Sequence, residues 1–240
     1  MTGAYLYELG VTPYADALAV MRELAAARTQ QAIPDVVMLL EHEPVITLGS
    51  RAVRAEELPL ADEEYARRGI EVVEVGRGGR STYHGPGQLV CYPILDLTRH
   101  GRDVKLYVRN LEEALIQTLA PLGLTGERID GLTGVWLTRP PRKIASIGVH
   151  VSRWVTTHGY ALNVDLDPAP FTEWITACGL EDAMFTTIAR ELERSVTLDE
   201  VRPRAVAALE SVFGLELEEL PAEDGTGLWA QPVHGQLAAR

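Results

Sequence analysis

The densest cluster of special residues runs Arg77-Gly78-Gly79-Arg80-Ser81-Thr82-Tyr83-His84-Gly85-Pro86-Gly87-Gln88. Five glycines from Gly76 to Gly87 free the backbone to bring amide groups close to a ligand, and they serve tight structural turns equally well. The loop is no standard nucleotide cradle, because it lacks the Lys-Ser or Lys-Thr of a Walker loop and the glycine spacing that opens a Rossmann helix. Two further residues stand apart from it. Cys178 is one of two cysteines, and Lys143 is one of two lysines among 22 basic residues. Where arginine is the default cation, a lysine offers a proton that it can lose. Free cysteine has a pKa near ~8.5, so a thiol needs a neighbouring cation or base to attack a thioester at neutral pH, and a lysine supplies either. Acyl transfer through a thiol suits these residue types. Their ordinary roles are plain too: a cytosolic cysteine is usually a small buried apolar group, and a lysine that opens a strand after two prolines is usually a solvated edge charge.

Other chemistries lack their residues. No Gly-x-Ser-x-Gly elbow supports a serine hydrolase. His84, His150 and His158 have neither short ligand spacing nor a cysteine or carboxylate to complete a zinc set, so no metal is expected. Cys91 sits in an apolar run and reads as packing. The net charge of -12 argues against nucleic acid as a general partner. Between Arg77 and Arg153, however, 11 basic and 6 acidic side chains form a basic island, which suits an acidic ligand or partner, or is merely uneven surface charge. Two distant cysteines form no disulfide framework and point to a reducing compartment. The first ten residues lack a basic n-region and carry Glu8 where a signal peptide is apolar. The longest aliphatic run, Val36 to Leu40, is far below the roughly 18 residues of a membrane helix. A cytoplasmic protein without membrane contact is expected.

These residues need elements to hold them. Apolar spacing predicts strands over 4–9, 36–40, 45–48, 70–75 and 88–95, with the glycine-rich stretch 76–87 as a loop between the last two. It predicts helices over 14–31, with Leu18, Met21, Leu24 and Ala25 on one face, and over 61–68, closed by Gly69. Asp103 caps a long helix to Leu122 whose stripe is Val104, Tyr107, Val108, Leu111, Leu115 and Leu119, and Gly123 ends it. Strands follow at 133–137, 143–151 and 156–163. Thr197 to Glu200 opens a helix that stops at Gly214, and 215–220 reads as a last strand. Strands bunched between a few helices make the class α+β (mixed α/β), a mixed sheet with flanking helices. Residues 1–220 read as one domain and 221–240 as a flexible tail.

The segment from Arg77 to Gln88 closely resembles the signature of the lipoyl(octanoyl) transferases, enzymes that move an octanoyl group from acyl carrier protein onto lipoyl-dependent enzymes. Gly134-Val135-Trp136, Lys143-Ile-Ala-Ser-Ile-Gly148 followed by His158-Gly-Tyr-Ala-Leu-Asn163, and Cys178-Gly179 agree in order and spacing, over about residues 5 to 215. The resemblance implies the fold of the biotin and lipoate protein ligases, with a largely antiparallel sheet. It makes Cys178 the carrier of the acyl group as a thioester and Lys143 its partner, which lowers the thiol pKa and handles protons. It also implies a substrate-binding role for Arg77, Gly78, Gly79, Arg80, Ser81, Thr82, Tyr83 and His84, for Ser146, Ile147 and Gly148, and for Gly159, Tyr160 and Ala161. Tyr83 and His84 would border the acyl pocket. The family usually places a proline just before its cysteine, whereas this chain reads Thr176-Ala177-Cys178-Gly179, so a fixed φ angle is missing there.

The same resemblance implies octanoyl acyl carrier protein as donor, and lipoyl domains of 2-oxoacid dehydrogenases and the glycine cleavage H protein as acceptors. It implies an enzyme that needs no cofactor and no ATP; the oligomeric state is not fixed by the sequence, with a monomer as the default expectation. Arg80, Arg139, Arg142 and Arg153 are the candidates for docking an acidic carrier. Two rivals are an ATP-using lipoate or biotin ligase on the same fold, which needs no nucleophilic cysteine, and a noncatalytic module that binds acyl carriers or lipoyl domains, which needs neither Cys178 nor Lys143.

Overall fold

The computed structural model describes residues 1–176 and 184–220. Its chain order is β1 (Thr2–Thr12), α1 (Tyr14–Thr29), β2 (Asp35–His42), β3 (Val45–Leu48), α2 (Arg54–Glu57), α3 (Asp62–Arg67), β4 (Glu71–Glu74), β5 (Ser81–His84) and β6 (Gln88–Ile94). Then come α4 (Val104–Leu119), β7 (Glu127–Ile129), β8 (Leu132–Thr138), β9 (Pro141–Ser152), β10 (Val155–Asn163), α5 (Pro170–Glu173), β11 (Met184–Phe185), α6 (Ile188–Leu192), α7 (Leu198–Phe213) and β12 (Leu215–Glu219).

The apolar runs of β2 and β6 are continuous because both faces of the sheet they centre are covered. Val36, Met38 and Leu40 point to α1, where they meet Ala17, Val20, Met21 and Leu24. Val37 and Leu39 point the other way, to Tyr107, Leu111 and Leu115 of α4 and to Ala205 and Leu209 of α7. Period-two alternation across one strand thus feeds two separate cores. The sheet runs β12-β1-β2-β6-β10-β9-β8-β7, with β11 beside β9. The β12/β1, β1/β2 and β11/β9 pairs are parallel and the others in this sheet antiparallel, which makes a mixed α+β fold as the spacing predicts.

The predicted caps form. Asp103 accepts from the amides of Lys105 and Leu106, Thr197 accepts from that of Glu200, and Gly123 and Gly214 take φ of 80° and 65°. Val104 departs from the predicted stripe: it opens the first turn of α4 and is 38% exposed.

A second sheet, β4-β3-β5, corrects the reading of 76–87 as a loop throughout. β3 pairs antiparallel with Ser81–His84, from Val45 opposite His84 to Leu48 opposite Ser81. The glycines confine the turns to either side of a four-residue strand. This sheet has a core of its own in Ile46, Leu48, Tyr65, Ile70, Phe171, Ile175 and Phe185. No helix among the described residues is long and apolar enough to cross a membrane.

Candidate active site

A cavity of about 240 Å³ opens where the two sheets meet. The small sheet and its preceding loop supply Arg77, Gly79, Arg80, Ser81, Thr82 and His84, while β9 and β10 supply Lys143, Ser146, Ile147, Gly148, Gly159, Tyr160 and Ala161. Segments separated by some sixty to eighty residues in the chain therefore converge on one space. Tyr83 does not border it. Neighbours on a strand face opposite ways, so while His84 meets the cavity, the Tyr83 ring packs edge-on against Phe171 and Trp174 at 5.8 and 5.7 Å. Gly78 also stays out of the lining and joins the sheets instead: its amide donates to Val149 at 2.9 Å, and its own carbonyl oxygen lies 2.9 Å from where a Cβ of residue 148 would stand.

Lys143 is 5% exposed, which overturns its reading as a solvated edge charge. Strand β9 is an interior strand at this point, because Trp136 of β8 pairs with Lys143 on one side and Phe185 of β11 pairs with it on the other. The Lys143 ammonium group lies 5.3 Å from the centre of the Trp136 ring, an attraction of cation for π face. Gly134, at φ 120°, makes room: a Cβ there would stand 2.9 Å from Cε of Lys143 and 2.5 Å from the Ala145 carbonyl oxygen. The Gly134-Val135-Trp136 segment is thus the bed on which the lysine lies.

Arg77 organises the loop from within. Its guanidinium donates to the carbonyls of Gly78 and Arg80 at 3.1 and 2.9 Å, and to the carbonyl and hydroxyl of Thr47 at 2.9 and 2.7 Å. His84 donates through Nδ1 to Oε1 of Gln88 at 2.7 Å. Burial, with the His42 ring beside it and Arg77 nearby, holds the His84 imidazole well below its ordinary range. His42 is pushed down to about 4 by burial, and His158 to about 3 by burial and the charge of Arg77. These rings are neutral, and no three His, Cys, Asp or Glu side chains among the described residues converge as a metal set.

Cys178 and Gly179 lie outside the described residues, as do 221–240. The residues on either side of 177–183 are well held. The Thr176 amide donates to the Glu57 carbonyl at 2.9 Å, and its carbonyl accepts from the Ser81 hydroxyl at 3.4 Å. Glu57 itself is buried and takes the Ser81 amide at 2.5 Å and the Val53 amide at 3.2 Å on its carboxylate. On the far side, Thr186 donates its amide to the carbonyl of Lys143 at 3.0 Å. Cys91 is fully buried opposite Tyr160, and burial pushes its thiol up, as befits packing.

The four candidate docking arginines form no single patch. Arg139 and Arg142 sit at one end of β9 and Arg153 just past the other, a separation of roughly 35 Å for a strand of this length. Arg142 is engaged by Glu191 through two hydrogen bonds. The sequence pattern also gave no sign of Arg51, Tyr14 and Tyr92, which line the cavity without any motif to mark them.

A two-sheet frame with a cation-lined cavity at its seam defines a class of protein, and the sequence of this chain matches that class directly. It belongs to the lipoyl protein ligase A/B catalytic domain family, which matches residues 13–210. Among its relatives, the octanoyltransferase of Chloroflexus aggregans is 48% identical over 211 residues, covering 88% of this chain and 95% of that protein. The octanoyltransferase of Mycobacterium tuberculosis is 49% identical over 203 residues, with 84% of each chain covered. The bipartite lipoate protein ligase of Thermoplasma acidophilum superposes with a TM-score of 0.71 over 91% of this chain and 87% of that one, at 17% identity, which establishes the shared fold.

Proposed function

We propose that this chain is an octanoyltransferase of lipoate biosynthesis, an acyltransferase that uses Cys178 as nucleophile and Lys143 as its proton partner, with residues 1–220 as the catalytic unit. The burial of Lys143 in the cavity wall carries this reading, together with the anchoring of residues on both sides of 177–183 at that wall. Thr176, two residues before Cys178 in the chain, accepts from the hydroxyl of the cavity residue Ser81, which supports this reading.

In the first half-reaction Lys143, having given its resting proton to solvent, takes the Cys178 thiol proton as a neutral amine, and the thiolate attacks the carbonyl carbon of an octanoyl thioester on acyl carrier protein. The carbon–sulfur bond to the carrier's arm breaks, and the departing thiolate regains the proton from Lys143. In the second, the ε-amine of a lysine on a lipoyl domain attacks the enzyme thioester. It loses a proton to Lys143, and Cys178 leaves as a thiolate that is reprotonated. An amide forms from a thioester, so ATP is not consumed. The apolar lining residues Leu132, Trp136 and Ile147 select for chain length, at about 0.8 kcal/mol for each methylene they bury. Lipoyl domains of 2-oxoacid dehydrogenases and of the glycine cleavage H protein are the acceptors in this reading, and the cytoplasm, where a thiol stays reduced, is the compartment.

The test is the intact mass of the protein after incubation with octanoyl acyl carrier protein without ATP. Wild type and Cys91→Ser gain one octanoyl group, and Cys178→Ser gains none. Lipoyl-domain modification that requires free octanoate and ATP, with no adduct on the enzyme, would replace this reading with that of a ligase.

A further inference from the structure

The chemistry proposed above uses one cation, yet four line the cavity: Arg51, Arg77, Arg80 and Lys143, with no aspartate or glutamate among the described lining residues. An octanoyl chain is neutral, and an acceptor lysine is itself positive before it loses its proton. Neither substrate calls for that excess of positive charge. It suits an anion.

Three of the four cations are committed. Arg77 is nearly buried and donates to four oxygens of the loop and of Thr47. Lys143 lies on Trp136. Arg80 stands 3.5 Å from the buried carboxylate of Glu57 and 3.9 Å from that of Glu56. Arg51 is different: it is exposed, and its side chain makes no hydrogen bond, ion pair or ring contact among the described residues. Its backbone is nonetheless fixed, since the Arg51 amide donates to Gly79 at 3.1 Å and that of Ser50 to Arg77 at 2.9 Å. Gly49 permits this stitching, because a Cβ there would come within 2.5 Å of the Gly79 carbonyl oxygen. A cation held in place at the mouth, with its charged end left to solvent, is preorganised for a ligand.

We infer that Arg51 binds the phosphate of the pantetheine arm that carries the donor thioester. The inference rests on the octanoyltransferase reading and adds to it a phosphate subsite at the cavity mouth. With the acyl chain inside and the thioester near Lys143, the arm must run outward past the exposed lining residues. Phosphate is the one charged group on that arm, and a guanidinium matches its oxygens in a forked pair of hydrogen bonds.

The experiment compares two small donors without any carrier protein, octanoyl-phosphopantetheine and octanoyl-pantetheine, by their kcat/KM for acylating the enzyme. Wild type prefers the phosphorylated donor. In Arg51→Gln the ratio of the two values falls about tenfold, as loss of a charge-assisted contact predicts, and Arg51→Lys retains most of it. A ratio unchanged by Arg51→Gln would overturn the subsite. Octanoate with ATP is the third arm: activity there that depends on Arg51 would assign the phosphate to a nucleotide and overturn the donor-arm assignment. If wild type takes up octanoyl from neither thioester, the transferase reading itself falls and the subsite with it.

Discussion

The side-chain amide of Asn163 donates through Nδ2 to the carbonyl oxygen of Thr186 at 3.0 Å. Its Oδ1 accepts from Nε2 of Gln88, also at 3.0 Å, and Gln88 in turn accepts from His84. A buried chain of polar groups thus runs from the cavity wall to the residue whose amide holds the Lys143 carbonyl.

Asn163→Ala leaves both a Gln88 donor and the Thr186 carbonyl without this partner. Each buried group so stranded costs about 1–3 kcal/mol. The expected result is a lower urea midpoint together with slower acylation of Cys178. An unaltered midpoint would mean that the chain does not hold the site.

Lys143→Met and Lys143→Arg separate two roles for the lysine. If it moves a proton, both variants lose roughly 10²–10⁴-fold in acylation rate, because arginine keeps its charge but does not deprotonate. Near-normal rates in Lys143→Arg would reduce the lysine to a fixed charge. Circular dichroism melts confirm that each variant is folded.

Two glycines of the cavity wall respond differently to alanine. A Cβ at Gly159 runs into the Cys91 carbonyl and the Pro93 ring, both in the central strand β6, so Gly159→Ala destabilises by about 1–3 kcal/mol. A Cβ at Gly148 meets the Gly78 carbonyl at 2.9 Å and the Arg77 side chain at 3.0 Å, both in the loop. Gly148→Ala therefore reduces acylation more than it lowers the melting temperature. Equal losses of stability in the two variants would contradict this division.

Stability falls on acidification before the carboxylates titrate. An imidazole ordinarily titrates at 6.5, whereas burial pushes that of folded His42 down to about 4, so the unfolded chain binds more protons between those values. Its contribution is complete above pH 6.5 and is lost as pH falls toward 4. A shift of that size is on the order of 3 kcal/mol. The neutral ring is held by Tyr92, which donates to Nε2 at 2.7 Å, and by the Thr12 carbonyl, which accepts from Nδ1 at 3.1 Å. Urea midpoints at about pH 7 and about pH 4.5 draw closer together in His42→Gln than in wild type. An identical pH dependence in both proteins would remove His42 from the account.

What the sequence made legible follows from how far each feature is local. The apolar runs of β2 and β6 report burial on both faces, and Asp103, Gly123, Thr197 and Gly214 mark helix ends through their own side chains or backbone. The helices α2, α5 and α6, of four or five residues, and the strands β7 and β11, of three and two, complete too little of their periods to show. Strand β5 hides among glycines, because its identity depends on β3. The burial of Lys143 depends on Gly134, Trp136 and Phe185, none of them its chain neighbours, and Arg51 bears no mark beyond its type. Most of the cavity wall was read from family resemblance rather than from any property of single residues.

The contact of Gly78 with Val149 and of Gly148 with the loop makes the cavity a seam between two bodies, each with its own core. A seam can part without either body melting. Deuterium should therefore enter the amide of Gly78 through a shallow, sub-global opening, while that of Leu39 in β2 waits for complete unfolding. An acyl donor and a protein acceptor must both reach the cavity, and such an opening would let the protein exchange them while its sheet stays intact.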